Sequence, residues 1–152
     1  MILRDGEYDG IVAAPARMDL LIQTVALRPY VFAFVVIYLV LALRDLGPGR
    51  TLLFSVWAFL VAWIAELAST RVGIPFGLYH YTGDTRSREL YLSNVPFFDS
   101  VSFVFPAYAA WCLGRVALRR SRGLGVVGLA GVVMMLLDVV IDPLAVRGDR
   151  WF

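Results

Sequence analysis

The chain has 152 residues, of which 60% are apolar and only 17% charged, with a net charge of +2; an average soluble domain carries about 25% charged residues. All fourteen basic residues are arginines, set mainly between long apolar runs, so there is no dense basic face for nucleic acid, and only RVALRRSR (115–122) comes near one. Cys112 is the single cysteine, which excludes a disulfide framework and a thiolate metal site.

The length indicates one compact unit, 1–152, and the uninterrupted apolar runs indicate a polytopic membrane protein in place of a soluble globule. MILRDGEYDG, at the N-terminus, is too acidic and too polar to begin a signal peptide, so targeting is expected to come from the spans themselves. MDLLIQTVAL (18–27) follows, and either continues into the first span or lies in the interface as an amphipathic segment.

PYVFAFVVIYLVLAL (29–43), bracketed by Arg28 and Arg44, is the first strong run, short of the bilayer core unless snorkelling arginines extend it. The second, TLLFSVWAFLVAWIAELASTRVG (51–73), is long enough to cross and carries Glu66. NVPFFDSVSFVFPAYAAWCLGRVAL (94–118) contains Asp99, Pro106 and Arg115, which predicts a kinked span that starts after Pro96. LGVVGLAGVVMMLLDVVIDP (124–143) is the fourth, with Pro143 as its expected stop. The predicted fold is therefore an all-α transmembrane bundle of about four spans, 29–47, 51–72, 97–118 and 124–142, with a possible N-terminal interfacial helix. Four spans put both termini on one side of the cell membrane. The arginines of 115–122 favour the cytoplasm for the other side, although the arginine-bearing 71–92 loop competes. Gly125, Gly128 and Gly131 recur every three residues, a spacing that permits close helix packing.

The acids in these runs need an explanation. Asp138 and Asp142 are four residues apart and share a helix face. Two carboxylates so placed are suited to holding and donating a proton, or else cap interfacial structure and pair with Arg147 and Arg150. Glu66 stands seven residues before Gly73, roughly 10 Å along a helix, so it is expected inside the membrane, where acids usually mark functional sites. Arg115 is the alternative structural partner for it. Asp99 opens the third run and is either a helix cap or a site residue. The loop GIPFGLYHYTG (73–83) predicts a rigid turn at Pro75 and Gly77. Phe76, Tyr79 and Tyr81 then form an aromatic rim, or else interface anchors. His80, the only histidine, is suited to proton shuttling, and no metal site is expected.

ELASTRVGIPFGLYHYTG (66–83), LYLSNVPFFDSVSFVFPAYAAW (90–111) and LLDVVIDPLAVRGDRWF (136–152) resemble the carotenoid biosynthesis membrane proteins, a family that includes hydratases of acyclic carotenoid ends. The matching elements are Glu66, Gly73 to Tyr81, Val95-Pro96, Asp138-x-x-x-Asp142-Pro143 and Trp151. Family members usually continue with further hydrophobic spans, so the resemblance implies a C-terminally shortened homologue, a fragment, or a chain that needs a partner membrane protein for those helices. It also implies a lipid-soluble carotenoid substrate in contact with membrane lipids, and water addition to a terminal C=C by protonation and water attack, with no cofactor. The roles this chemistry suggests are Asp142 or Asp138 as the acid, Glu66 as the base or water-orienting group, and His80 in proton exchange. Phe76, Tyr79, Tyr81, Asp99 and Trp111 are the candidates for substrate contact. A related carotenoid cyclase starts with the same protonation. The rival from another class is a non-enzymatic membrane subunit or small proton-coupled transporter, whose acids form a proton path or hold helices together.

Overall fold

A computed structural model describes the backbone of residues 17–83, 85–119 and 123–145, with side chains from 19 to 140 within those ranges. The elements run α1 (Arg17–Leu27), α2 (Pro29–Leu46), α3 (Pro48–Val72), β1 (Tyr91–Leu92), β2 (Val95–Pro96), α4 (Phe97–Ser102), α5 (Val104–Ala117) and α6 (Leu124–Ala145). The protein is an all-α membrane bundle. Segments 29–46, 48–72 and 97–117 are long and apolar enough to cross a membrane, and the apolar helix 124–140 packs beside them against α5.

Prolines divide the helices. Pro29 bars Arg28 from helical geometry, since the ring restricts the residue before it. Arg28 accordingly has φ −131° and ψ 55°, and α1 stops as a helix separate from α2. A single residue, Gly47, joins α2 to α3, with Pro48 opening the next helix. Its φ of +78° is one that residues with a side chain rarely adopt. The two helices fold back on each other, and Tyr38 and Ser55 hydrogen-bond across the pair at 2.7 Å.

The third span is broken where the sequence suggested a kink, one turn earlier than the proline itself. Pro106 cannot donate to the carbonyl of Ser102, and its ring crowds that position. The chain therefore interrupts at Phe103, whose N–H reaches Ser100 O at 3.4 Å and Val101 O, short of the carbonyl four residues back, before α5 resumes with Ala107 N to Phe103 O at 3.1 Å. The fourth helix departs in the opposite sense: it runs through Pro143 to Ala145 instead of ending there. So near a helix end the proline forfeits a single backbone bond, which membrane helices tolerate.

Tyr38, Ala42, Val104 and Tyr108 form the core between α2 and α5, flanked by Phe54, Phe59 and Trp111. Tyr38 meets Tyr108 edge to face at 5.3 Å. Many outward side chains, among them Val36, Ile37, Leu52, Val61 and Val139, are large, apolar and exposed, as lipid-facing positions should be. Of the expected glycine stripe on α6, Gly128 and Gly131 do not make the close contact. A Cβ on Gly128 or Gly131 would meet nothing within 4 Å, whereas one on Gly114 of α5 would stand 2.9 Å from Val126 O. The small residue that lets α5 and α6 approach is thus on the other helix.

Candidate functional site

The site is built at the end of the bundle where α3 stops and the 73–96 loop turns back. Gly73 N closes the last turn of α3 on Ser69 O, and the Ser69 hydroxyl accepts from Phe76 N at 3.0 Å. The loop returns through a hairpin in which Tyr91 pairs Pro96 and Leu92 pairs Val95. Two side chains pin that hairpin to α3: Trp63 Nε1 donates to Leu92 O at 3.3 Å, and Asn94 Nδ2 donates to Thr70 Oγ1 at 2.9 Å. These ties bring Tyr81, on the loop, over Glu66, on the helix.

Glu66 is 2% exposed. Its Oε2 accepts the Tyr81 hydroxyl at 3.0 Å, while its Oε1 is buried with no hydrogen-bond partner among the described residues. The carboxyl group lies within electrostatic range of Asp99, Arg28 and Asp138. Burial, reinforced by Asp99 and Glu66, pushes the Tyr81 phenol above its ordinary range, so it acts as a hydrogen-bond donor.

Arg28 organises the charges around this pair. It is 4% exposed. The guanidinium forks onto Glu89, Nε to Oε2 at 2.8 Å and Nη2 to Oε1 at 3.3 Å, and Nη1 also donates to Asp99 Oδ1. Burial works to lower its proton affinity, but Asp99 and Glu89 outweigh that and raise it. Thr85 Oγ1 completes the cluster by donating to Glu89, and it shares a hydrogen bond with the Tyr91 hydroxyl.

Several candidates from the sequence therefore meet here, and others do not. Glu66, Tyr81, Asp99 and Asp138 belong to one neighbourhood, with Asp138 half-buried on α6. Asp142 lies on the same helix, but its side chain falls outside the described residues, as do Arg147 and Arg150. Tyr79 meets Tyr81 edge to face at 5.6 Å, and Phe76 stacks on Phe103 at 6.2 Å. His80 is exposed on the loop and makes no hydrogen bond to the described residues. Trp111 is remote from the cluster. It packs on Tyr108 and under Arg115, whose guanidinium sits 4.5 Å from its ring, at the far end of α2. Nor is Arg115 the partner of Glu66: it pairs with Asp45 at 2.8 Å. Asp99 sits in the first turn of α4, behind Pro96 at the N-cap, and its side chain accepts from Arg28.

Two residues of the cluster escaped the sequence reading. Arg28 looked like a boundary arginine that snorkels outward, and Glu89 was not singled out. The Arg28-Pro29 dipeptide carried a usable signal, because a proline that breaks the helix can turn the preceding side chain inward.

The family model for carotenoid biosynthesis proteins matches residues 23–152. The chain belongs to that family. The match includes every member of the cluster, from Arg28 to Asp138, and with the apolar helices it establishes a membrane-associated protein of carotenoid biosynthesis. No curated protein and no solved structure matches the chain.

Proposed function

We propose that the protein is a single-domain, multi-pass enzyme of the cell membrane that adds water to a terminal C=C of an acyclic carotenoid. The observation that carries this reading is Glu66: a carboxyl group on a membrane helix, 2% exposed, with one oxygen on Tyr81 and the other without a hydrogen-bond partner among the described residues. Asp138, within its electrostatic range, supplies a second carboxyl from α6.

In this mechanism the Asp138/Asp142 face delivers a proton to the less substituted alkene carbon. The π electrons form the new C–H bond and leave a tertiary carbocation on the neighbouring carbon. Water attacks that carbon, and the proton released as the C–O bond settles passes to Glu66 and returns to the aspartates. The sum is alkene plus water to tertiary alcohol, with no oxidant or reductant required. Water exclusion and fixed carboxyl groups are what such a step needs. The faces of Tyr79, Tyr81 and Phe76 are suited to stabilising the cation, Asp99 helps to set the field at Glu66, and exposed His80 exchanges protons with water.

The test is to supply acyclic carotenoid to membranes containing the protein in water labelled with heavy oxygen. The expected product is a tertiary alcohol that carries the label. A cyclised product with no added mass identifies the cyclase reading. Bound carotenoid left unchanged, even with neighbouring genes co-expressed to supply a partner, identifies the non-enzymatic one. Glu66→Gln keeps a hydrogen-bonding amide but removes the base, and is expected to lower turnover at least about 10²-fold.

A further inference from the structure

Three stretches of chain far apart in sequence converge on one guanidinium. Arg28 stands at the break between α1 and α2, Glu89 on the returning loop, and Asp99 in the first turn of α4. Arg28 and Glu89 are 4% and 1% exposed, so the fork between them is shielded from water and from screening salt. A planar guanidinium fixes a carboxylate in both distance and orientation, which a single ammonium donor does not.

The loop held by this fork is the one that carries Tyr81. Its chain leaves α3 at Gly73, passes Tyr81, and is next fixed at Glu89, which Thr85 and Arg28 hold from two sides. Beyond Glu89, the hairpin is pinned to α3 by Trp63 and Asn94. With the fork gone, the loop between Tyr81 and the hairpin would lose its buried guanidinium anchor at Glu89. The same guanidinium holds Asp99, which lies within electrostatic range of both Glu66 and Tyr81.

We infer that Arg28 is the positioning residue of the Glu66 site: through its fork to Glu89 it fixes the 73–96 loop so that the Tyr81 hydroxyl is set on Glu66. Arg28 touches Glu89 and Asp99, not Glu66 itself, so it acts through other residues. The inference rests on reading Glu66 as the reacting centre, but the placement of Tyr81 is measurable without any carotenoid.

The experiment uses the full chain in lipid nanodiscs with isotope-labelled tyrosine. The infrared phenol band of Tyr81 is assigned by subtracting the spectrum of Tyr81→Phe. Arg28→Gln and Glu89→Gln are each expected to move this band to the position of a water-exposed phenol. The double substitution is expected to move it no further than Arg28→Gln alone, because that change already breaks the contact Glu89→Gln removes. Arg71→Gln, an exposed arginine in the last turn of α3, should leave the band in place. If either single variant fails to insert, the double variant, which leaves no charge of the fork buried, decides the matter. A parental band in any folded variant of the fork overturns the inference, as do shifts that add, or loss of the fold in all three.

In the turnover assay, Arg28→Gln is expected to lower kcat by about 10²-fold, the cost of a misplaced group, with KM within about twofold of the parent. A parent that incorporates no label from water defeats the proposed reaction. The phenol band still decides the role of Arg28.

Discussion

At the start of α2, Arg28 is 4% exposed between Glu89 and Asp99, whereas at its end Arg115 meets Asp45 with side chains 48% and 35% exposed. Eighteen residues separate the two ends of the helix, roughly 27 Å of rise. At the first end Glu89 and Asp99 pair with one guanidinium, and Glu66 lies within electrostatic range of it, of Asp99 and of Asp138. The second has one ion pair with Tyr108 and Trp111 beside it, and its helices are held by apolar contact at Gly114 and Val126. Burying charge is costly, and an apolar replacement of a buried ion pair is often as stable. A cluster with more acids than bases is therefore poor stability design. Among the described residues it lies at the end where the proposed site is built.

The contrast sets different costs for breaking each end. Glu89→Ala strips the fork and leaves Arg28 buried with Asp99 alone. It should cost about 3–5 kcal/mol, the usual penalty for half of a buried pair, read as a loss of thermal stability in detergent or nanodiscs. Gly114→Ala forces a Cβ into the Val126 backbone and is expected to cost about 1–3 kcal/mol. Gly128→Ala should be neutral, because that position faces open space. Equal effects of the two alanines would show that α5 and α6 do not meet at Gly114.

Arg115→Gln should change stability least, by about 0–1 kcal/mol, with the difference shrinking as salt is added. A large, salt-insensitive loss there would remove the distinction between the two ends.

The sequence and the structure agree most closely where physics is local. The spans expected at 29–47 and 51–72 were legible from apolar length, and the helices run 29–46 and 48–72, the second opening three residues early on Pro48, a residue suited to the first helical position. So was the disturbance of the third span, although its location at Phe103 follows from the carbonyl that Pro106 cannot serve, four residues back. Pro143 misled for a related reason: it costs one bond to the carbonyl four residues back, a loss that a membrane helix tolerates, so α6 runs on to Ala145. Glu66 stood out because a lone acid in an apolar run is expensive. Arg28 and Glu89 did not, since each alone is an ordinary boundary charge. Their significance depends on a contact 61 residues apart, which no periodicity encodes. The α6 glycines had the right spacing, but spacing does not say which helix they face, and the close approach falls on Gly114.

The most direct measurement is incorporation of heavy oxygen from water into an acyclic carotenoid by membranes containing the parent, Glu66→Gln or Asp45→Asn. The account predicts labelled tertiary alcohol from the parent and from Asp45→Asn at comparable rates, and at least about 10²-fold less from Glu66→Gln. Equal labelling by all three proteins would contradict it, since the buried carboxyl at one end of α2 would then matter no more than the exposed one at the other.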